Sequence, residues 1–330
     1  MHRFTLCAAL FILCATQAAA NDFPPITNHS ALASSFALPA LGETLVLAPG
    51  HSNWQAVFGL SNEFEYLGFN AAGNCVATEC LIFDGESYRL NLRYRGALAR
   101  GWDWSFELPL LAQSGGFMDN GIETWHGWFG LPNNGREFQP RARYLYSYQR
   151  GGPTGPLLLN ITEPANGIGD LALGLGRQLG ADTALRVQIK LPTGDEAHLA
   201  GGNFGGALWL DAGVPFEGEW HGYFSAGVSV NDRGEILPEQ QNRIVALGGF
   251  GLSYQAAAAF ALHAQIYLHS PLYDESQLRA LRHNGAVLGL GGRYRWSKRL
   301  TMDLSLLEDT NVNVSPDFGL QLNLVWRSFP

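Results

Sequence analysis

Apolar and polar side chains alternate along most of this chain with a period of two residues. In SYRLNLRYR (87–95), Arg89, Arg93 and Arg95 fall on one face, whereas Leu90 and Leu92 fall on the other. A helix would scatter both sets around its axis, but a strand separates them completely. The pattern therefore predicts strands with one apolar face and one charged face.

The same period predicts fourteen strands, with twelve as the alternative count. Short connections such as LARG, LGAD and QAAAA alternate with longer ones, for example 111–140. This layout is typical of an all-β antiparallel transmembrane barrel of the outer membrane, with short periplasmic turns and longer extracellular loops. The strand 156–163 is required because, without it, strands 141–149 and 169–179 would run in the same direction in succession. The predicted strands are 54–66, 86–98, 102–110, 141–149, 156–163, 169–179, 183–192, 206–214, 220–230, 243–254, 259–269, 285–296, 300–308 and 317–328.

Aromatic residues provide a second indication of a barrel, because many lie near strand ends that border short turns. Tyrosine and tryptophan favour the boundary between lipid and water, so the set predicts a periplasmic aromatic girdle. A secreted β-sandwich would share the alternation but not the girdle or the one-sided loop lengths. The set is Trp54, Trp102, Trp104, Tyr144, Tyr146, Tyr148, Trp220, Tyr254, Phe260, Trp296 and Trp326.

The chain begins like an exported protein. Residues 1–20 have a basic start, an uncharged run and small residues at the end, as in a cleaved signal peptide. Residues 21–53 are irregular in composition, which predicts a periplasmic segment or plug before a barrel at 54–330. The formal net charge is −8, or −9 (20 − 29) once Arg3 is removed, and this argues against a nucleic-acid partner.

Only Cys75 and Cys80 remain after the predicted cleavage. Because they lie five positions apart in an exported chain, a local disulfide is expected, with a metal site as the alternative.

Arginine outnumbers lysine by 19 to 2 in the whole chain, since Lys190 and Lys298 are its only lysines. An arginine that faces lipid at mid-depth costs roughly 2–4 kcal/mol, so the strand arginines must face the lumen and pair there with carboxylates. Such a charge ladder would either fill and stiffen the barrel or form a selectivity zone. Its predicted members are Glu63, Glu65, Arg89, Arg93, Arg95, Asp103, Glu107, Arg141, Arg143, Arg186, Lys190, Arg293 and Arg295.

The loop 111–140 is the best candidate for a constriction or ligand site. A short helix there would place Trp125, Trp128 and Phe129 on an apolar face together with Ile122, and His126 at its polar margin. The helix is expected either to fold into the barrel mouth as a lid or to lie against the lipid boundary.

Four strings are more specific than alternation: GGFMDNGIETWHGWFGLPNNGR (115–136), GIGDLALGLGRQLG (167–180), KLPTGDEAHLAGG (190–202) and DTNVNVSPDFGLQLNL (309–324). Together they resemble an uncharacterised family of proteobacterial exported proteins. Residues 167–215 are also similar to the outer-membrane family of aromatic-degradation operons, the MetA-pathway phenol-degradation group. The resemblances imply a barrel that passes small or hydrophobic compounds.

The glycines and aspartates of the second and third strings suit tight turns and amide capping. These residues are Gly167, Gly169, Asp170, Gly194 and Asp195. A cation site between the two aspartates is the alternative interpretation.

These observations predict a passive channel or binding protein for a small solute in the outer membrane of a Gram-negative bacterium, in contact with outer-membrane lipid and without a cofactor. A structural or assembly barrel with a closed, charge-filled lumen is the alternative. An outer-membrane lipid hydrolase is a further one, although the adjacent His269 and Ser270 point to opposite strand faces and form no dyad. The oligomeric state and the solute are not indicated.

Overall fold

Fifteen strands in the described part of the chain form one antiparallel sheet. The computed structural model describes residues 23–70, 72–195, 199–310 and 316–330, so the predicted signal peptide 1–20 and His198 lie outside the described residues. The strands are β1 Ser52–Leu67, β2 Glu79–Ala99, β3 Trp102–Ser114, β4 Leu145–Arg150, β5 Leu157–Ile161, β6 Asn166–Ile168, β7 Ala172–Gly180, β8 Thr183–Lys190, β9 Gly205–Val214, β10 Trp220–Asn231, β11 Ile244–Ala257, β12 Phe260–His269, β13 Gly285–Arg295, β14 Leu300–Asp309 and β15 Phe318–Ser328. The helices are α1 Asp119–Phe129 and α2 Arg279–Arg282, with short 3-10 helices at Ala31–Ser35 and Arg136–Phe138.

The sheet closes because β1 pairs on one side with β2 and on the other with β15. Trp54 lies opposite Tyr94 in β2 and opposite Trp326 in β15. The closed ring contains β1 to β3 and β7 to β15. The predicted all-β antiparallel transmembrane barrel is confirmed, with twelve strands in the ring.

The hairpin β4–β5 lies outside this ring. β2 is long enough to pair twice: from Glu86 onward it faces β3, whereas Glu79 to Asp84 face β4. The predictions at 141–149 and 156–163 are therefore right as strands and wrong as ring members. The number of strands in the ring is still even, because β4 and β5 both lie outside it.

A further small strand, β6, was not predicted. It pairs with β3 at Leu110 to Ala112, directly beyond the part of β3 that pairs with β7. β6 and β7 thus follow the same edge of β3, interrupted at residues 169–171.

The two ends of the ring differ as the loop lengths indicated. One end carries the connections 100–101, 181–182, 215–219, 258–259 and 296–299, together with the start of β1 and the end of β15. The other end carries 68–78, 115–171, 191–204, 232–243, 270–284 and 310–317.

Exposed aromatic rings cluster at the short-turn end, where Trp54 and Trp104 both pack against Tyr94. Tyr146 and Tyr148 are fully buried instead. Together with Tyr144 they belong to the long-loop end, so their assignment to the periplasmic girdle was wrong. The reason is that β4 pairs with the part of β2 beyond the ring.

Large apolar side chains cover the outside of the ring, while buried polar and charged side chains occupy its interior. The apolar core includes Leu81 and Phe83 of β2, which belong to the long-loop end together with the hairpin β4–β5 and with Leu272 and Tyr273 of a long loop, and it continues into the ring through residues such as Phe23 and Tyr223. No helix in the described residues is both long and apolar enough to cross a membrane. The uncharged run 244–273 forms the hairpin β11–β12 and the start of the next loop.

We expect a charge on the outer face to be costly at mid-depth and cheap near the boundary. Leu304 lies in the middle of β14 with 56% of its surface exposed, and Leu98 lies near the periplasmic end of β2 with 63% exposed. Leu304→Arg should lower the free energy of unfolding by about 2–4 kcal/mol and Leu98→Arg by about 0–1 kcal/mol. Equilibrium urea unfolding in phospholipid vesicles measures both, and equal costs would contradict the outward, mid-depth position of Leu304.

Candidate functional site

Residues 23–51 run through the interior of the ring. Phe23 packs against Tyr223, near the periplasmic end of β10, with ring centroids 4.6 Å apart. The chain then reaches the long-loop end, where the backbone N–H of Ala31 donates to Glu63. It descends again to the short turns, where Leu47 donates to Asp103. The segment therefore enters and leaves at the periplasmic end and spans the lumen in between.

Strand side chains, rather than strand pairing, hold this segment in place. Backbone N–H groups of the segment donate to side-chain oxygens of the wall, and carbonyl groups accept from wall side chains. The N–H contacts are Ala31 to Glu63, Ala37 to Asn231, Gly42 to Asp211, Val46 to Gln178 and Leu47 to Asp103. The carbonyl contacts are Pro24 with Gln265, Pro25 with Gln321, Thr44 with Gln178, Glu43 with Arg186, and Leu45 with both Arg95 and Arg186.

Glu43 is the centre of the ion pairs inside the ring. Its carboxylate pairs with both terminal nitrogens of Arg93, and lies 3.6 Å from Arg95 and 3.4 Å from Arg186. A residue of the segment thus neutralises arginines of two different strands, β2 and β8. Sequence reasoning missed Glu43 because it lies outside every predicted strand and about fifty positions from its first partner.

Several predicted ladder residues do meet in the lumen. Arg93 contacts Glu107 at 2.9 Å, and Arg95 donates from Nε to Asp103 at 2.7 Å. Arg186 reaches Asp103 at 3.3 Å, so this carboxylate bridges β2 and β8.

A separate pair occupies the opposite wall. Arg293 of β13 donates to Asp303 of β14 at 2.6 Å. Arg295, two residues further along β13, is half-buried near the periplasmic end. Asp303 and Asp211, which were not among the predicted residues, complete the set of buried carboxylates that face the strand arginines.

The other ladder residues have different positions. Glu63 and Glu65 are buried near the long-loop end of β1, where Glu63 accepts from Tyr146. Arg141 lies outside the ring and pairs with Glu123 of α1, and Arg143 pairs with Asp84 of β2. The prediction that Arg141 and Arg143 face the lumen was wrong because β4 begins only at Leu145 and belongs to the outer hairpin.

A cavity of about 90 Å³ remains between the segment and the strands β1, β2, β3, β7 and β8. The segment contributes Phe36 and Leu38 to it, and the strands contribute Val57, Arg89 and Gln188. Its walls therefore carry both apolar and polar side chains on the segment side and on the strand side.

Asp170 joins the GIGD and KLPTGD strings into one unit. Its carboxylate accepts from the backbone N–H groups of Thr193, Gly194 and Gly202 and pairs with Lys190. Lys190 also donates to Asn203, through both its carbonyl and its side chain.

The glycines of this unit allow the close approach. A Cβ at Gly194 would lie 2.0 Å from the carbonyl oxygen of Ala200, and one at Gly169 would lie 3.0 Å from the ring of Pro109. Gly167 lies in β6, where nothing crowds it, and Asp195 accepts from Ala200 through its backbone carbonyl. Lysine and backbone amides thus occupy the Asp170 carboxylate that the cation-site alternative required, and no cluster of three or more potential ligands for a metal ion is found among the described residues.

The helix α1 is present, but its faces are turned differently from the prediction. Ile122 and His126 are buried, whereas Trp128 and Phe129 are 76% and 61% exposed. Trp125 packs against Phe129, with ring centroids 4.3 Å apart. His126 hydrogen bonds to Asn133 at 3.0 Å, and burial lowers the pKa of its imidazole.

Arg136 anchors the helix to the barrel. It donates to Asp119 at 3.0 Å and to Asp317 at 2.7 Å, and its guanidinium lies over the ring of Phe64. Burial raises the pKa of Asp317 to about 6, so the carboxylate is charged at neutral pH and pairs with Arg136. The helix is thereby fixed to the long-loop end of β1 and β15.

Cys75 and Cys80 are joined by a disulfide across the loop before β2, with their Cα atoms 5.7 Å apart. The bond pins the base of the extracellular loop 68–78 to the first residues of β2.

One histidine–serine contact was not predicted from the sequence. His263 of β12 lies 3.0 Å from Ser305 of β14. It reaches across β13 because Gly291 leaves the room: a Cβ there would lie 2.5 Å from the imidazole. The neighbouring Asp303 accepts from Arg293 and Asn323, which indicates a packed polar layer rather than a catalytic triad.

Comparisons with solved structures identify similar proteins. The chain is 13% identical to the COG4313 outer membrane channel from Pseudomonas putida F1, over 87% of this chain and 98% of that chain, with a TM-score of 0.52. The CymD monoaromatic hydrocarbon channel is 12% identical (86% and 89% covered, TM-score 0.41) and the Ralstonia pickettii toluene transporter TbuX 9% identical (86% and 90% covered, TM-score 0.39). Of these three, the first is similar enough to support an argument, and that argument concerns the fold, which resembles Gram-negative outer-membrane proteins. All three are described as channels or transporters rather than enzymes.

No curated protein matches this sequence. The family model for the protein of unknown function DUF3187 matches residues 4–328, nearly the whole length, and the chain therefore belongs to that family.

Proposed function

We propose that this protein is an outer-membrane channel for small solutes, and that residues 23–51 form a plug that must move before solute passes. The first neighbour with this fold is described as an outer membrane channel. We include in this proposal the lumen ladder inside the ring and the α1 loop at its long-loop end.

The observation that carries the proposal is the way in which the plug is held. Its backbone makes hydrogen bonds to side chains of the wall, so the plug can leave without breaking any strand pair of the ring. A sheet edge would be far costlier to open, because every ladder bond lost at membrane depth leaves unsatisfied backbone groups. The closed ring is thus a permanent wall, whereas the plug is held by side-chain contacts and can be displaced.

The cavity beside the plug supports a route for a small molecule. It lies against the strand arginines on one side and against apolar residues of the plug on the other. Moving the plug enlarges this space, since the plug forms one whole wall. The chain's partners on this proposal are outer-membrane lipid on the outer face and a small solute inside.

The dense ion pairs favour a second candidate, a structural barrel that stays closed. Glu43 alone contacts three arginines, which is more than a loosely docked segment requires. On this alternative the purified barrel conducts nothing, whatever is done to the plug.

A disulfide between the plug and the wall should lock the channel. A Cβ built on Gly249 of β11 would lie 3.6 Å from the Cβ of Leu41, within the range of disulfides. We expect Leu41→Cys combined with Gly249→Cys to abolish single-channel conductance in planar bilayers when oxidised and to restore it with dithiothreitol.

The two single cysteine variants are the matched controls and should respond to neither treatment. Equal conductance of the oxidised and reduced double variant would reject the plug as the moving part. Silence of all variants, and of the unmodified protein, would instead favour the closed structural barrel.

Neutralising Glu43 should loosen the plug. Removing one partner of a buried ion pair costs about 3 kcal/mol, so Glu43→Gln should raise the open fraction roughly a hundredfold. Glu217→Gln, on an exposed periplasmic turn, removes the same charge without touching the plug. Open probability in bilayer recordings measures both, and an unchanged value for Glu43→Gln would contradict the role of this carboxylate in closure.

A further inference from the structure

We infer that the cavity beside the plug binds the carboxylate of a small, partly apolar organic acid through Arg89. This inference rests on the proposed function, because it names the class of solute that the channel takes.

Arg89 differs from the neighbouring lumen arginines. Arg93, Arg95 and Arg186 each contact at least two carboxylates. Among residues 23–70, 72–195, 199–310 and 316–330, the guanidinium of Arg89 donates no hydrogen bond and has no carboxylate within 4 Å. Its surface faces the cavity instead.

The two carboxylates that interact electrostatically with Arg89, those of Glu107 and Asp170, already have partners. Glu107 pairs with Arg93 at 2.9 Å and lies 3.4 Å from the amide of Asn91. Asp170 is held by Lys190 and by backbone N–H groups of the following loop. Neither can turn to Arg89 without abandoning these contacts, so the residues of the wall leave its five donors unused.

An unpaired guanidinium inside a barrel is costly unless something compensates it. A carboxylate does so best, because two parallel N–H donors of arginine match its two oxygens. A ligand cation is disfavoured here by the same charge. The unpaired guanidinium at this point of the lumen therefore fits one negatively charged group.

The rest of the cavity has room for a partly apolar body attached to that charge. Phe36 and Leu38 of the plug and Val57 and Leu111 of the strands line it together with polar side chains such as Asn91 and Gln188. At about 90 Å³ the space suits a compact molecule rather than a sugar chain.

Neighbouring polar groups allow a ligand to approach Arg89. Gly59 lies directly opposite Arg89 in the β1–β2 pairing, and the imidazole of His29 packs over it. The Nδ1 atom of His29 faces this glycine and is buried without a hydrogen-bond partner among the described residues, so His29 lines the space beside Arg89 without occupying its donors.

A second, smaller cavity of about 20 Å³ shares Arg89 and His29 with the first and extends toward Gln113 and Leu199 at the long-loop end. Arg89 thus lies where the two cavities meet, so a solute that moves inward from the long-loop end reaches its charge on entering the larger cavity.

The test compares benzoate with its neutral isostere benzamide on the full-length processed protein in detergent, by isothermal titration calorimetry. We expect saturable benzoate binding that is at least tenfold tighter than benzamide binding, since an ionic hydrogen-bonded contact contributes at least that factor. Arg89→Gln should lose at least tenfold in benzoate affinity. Arg89→Lys, which keeps the charge but not the fork, should bind with intermediate affinity.

Arg100→Gln, on the exposed turn between β2 and β3, is the charge-matched control and should bind benzoate as the unmodified protein does. Equal affinity for benzoate and benzamide, undetectable benzoate binding, or unchanged binding by Arg89→Gln would each overturn the inference. Circular dichroism of every variant should show cooperative thermal unfolding, which establishes that each loss of benzoate binding occurs in folded protein.

Failure of the channel itself gives a different result. If benzoate binds through Arg89 but never enters vesicles that contain the protein, even after Glu43→Gln, the proposed channel is wrong and the anion site stands. If small solutes enter but benzoate has no advantage over benzamide, the channel stands and the anion site is wrong.

Discussion

The cost of placing a guanidinium in hydrocarbon governs this structure. With arginines at alternate positions of its strands, the sheet can satisfy them only by closing into a ring and turning them inward. The interior then holds several positive charges, and inward carboxylates of the strands pair with Arg93, Arg95 and Arg186. The segment 23–51 completes the balance by bringing Glu43 between β2 and β8.

The interior is accordingly organised in layers along the barrel axis. Near the periplasmic turns, Arg95, Arg186 and Asp103 form a tight ionic layer around the backbone of the plug. The Arg89 cavity lies above it, and the apolar core of the long-loop end closes the top. On the proposed function, a solute from outside would thus meet the apolar core, then Arg89, then the ionic layer.

The sequence predicts the strands well because alternation is a local property. Each of the fourteen predicted strands overlaps a strand of the structure, and the pair at 141–149 and 156–163 exists as a hairpin outside the ring. Its exclusion from the ring was unpredictable because it depends on β2 running past the end of β3, a length that no local pattern marks. Glu107 was predictable as an inward carboxylate on a strand near the arginines, whereas Glu43 was not, since an irregular segment carries no period from which its contacts can be read.

The course of residues 23–51 has a topological consequence. Both ends of this stretch lie toward the periplasmic side, with Phe23 beside Tyr223 and Leu47 beside Asp103, while its tip at Ala31 reaches the opposite rim. It is a re-entrant loop rather than a threaded strand, so the ring need not have formed around it. The loop can slide in after the seam between β1 and β15 has sealed, and it can be drawn back out by a pull from the periplasm alone, without unlinking the chain.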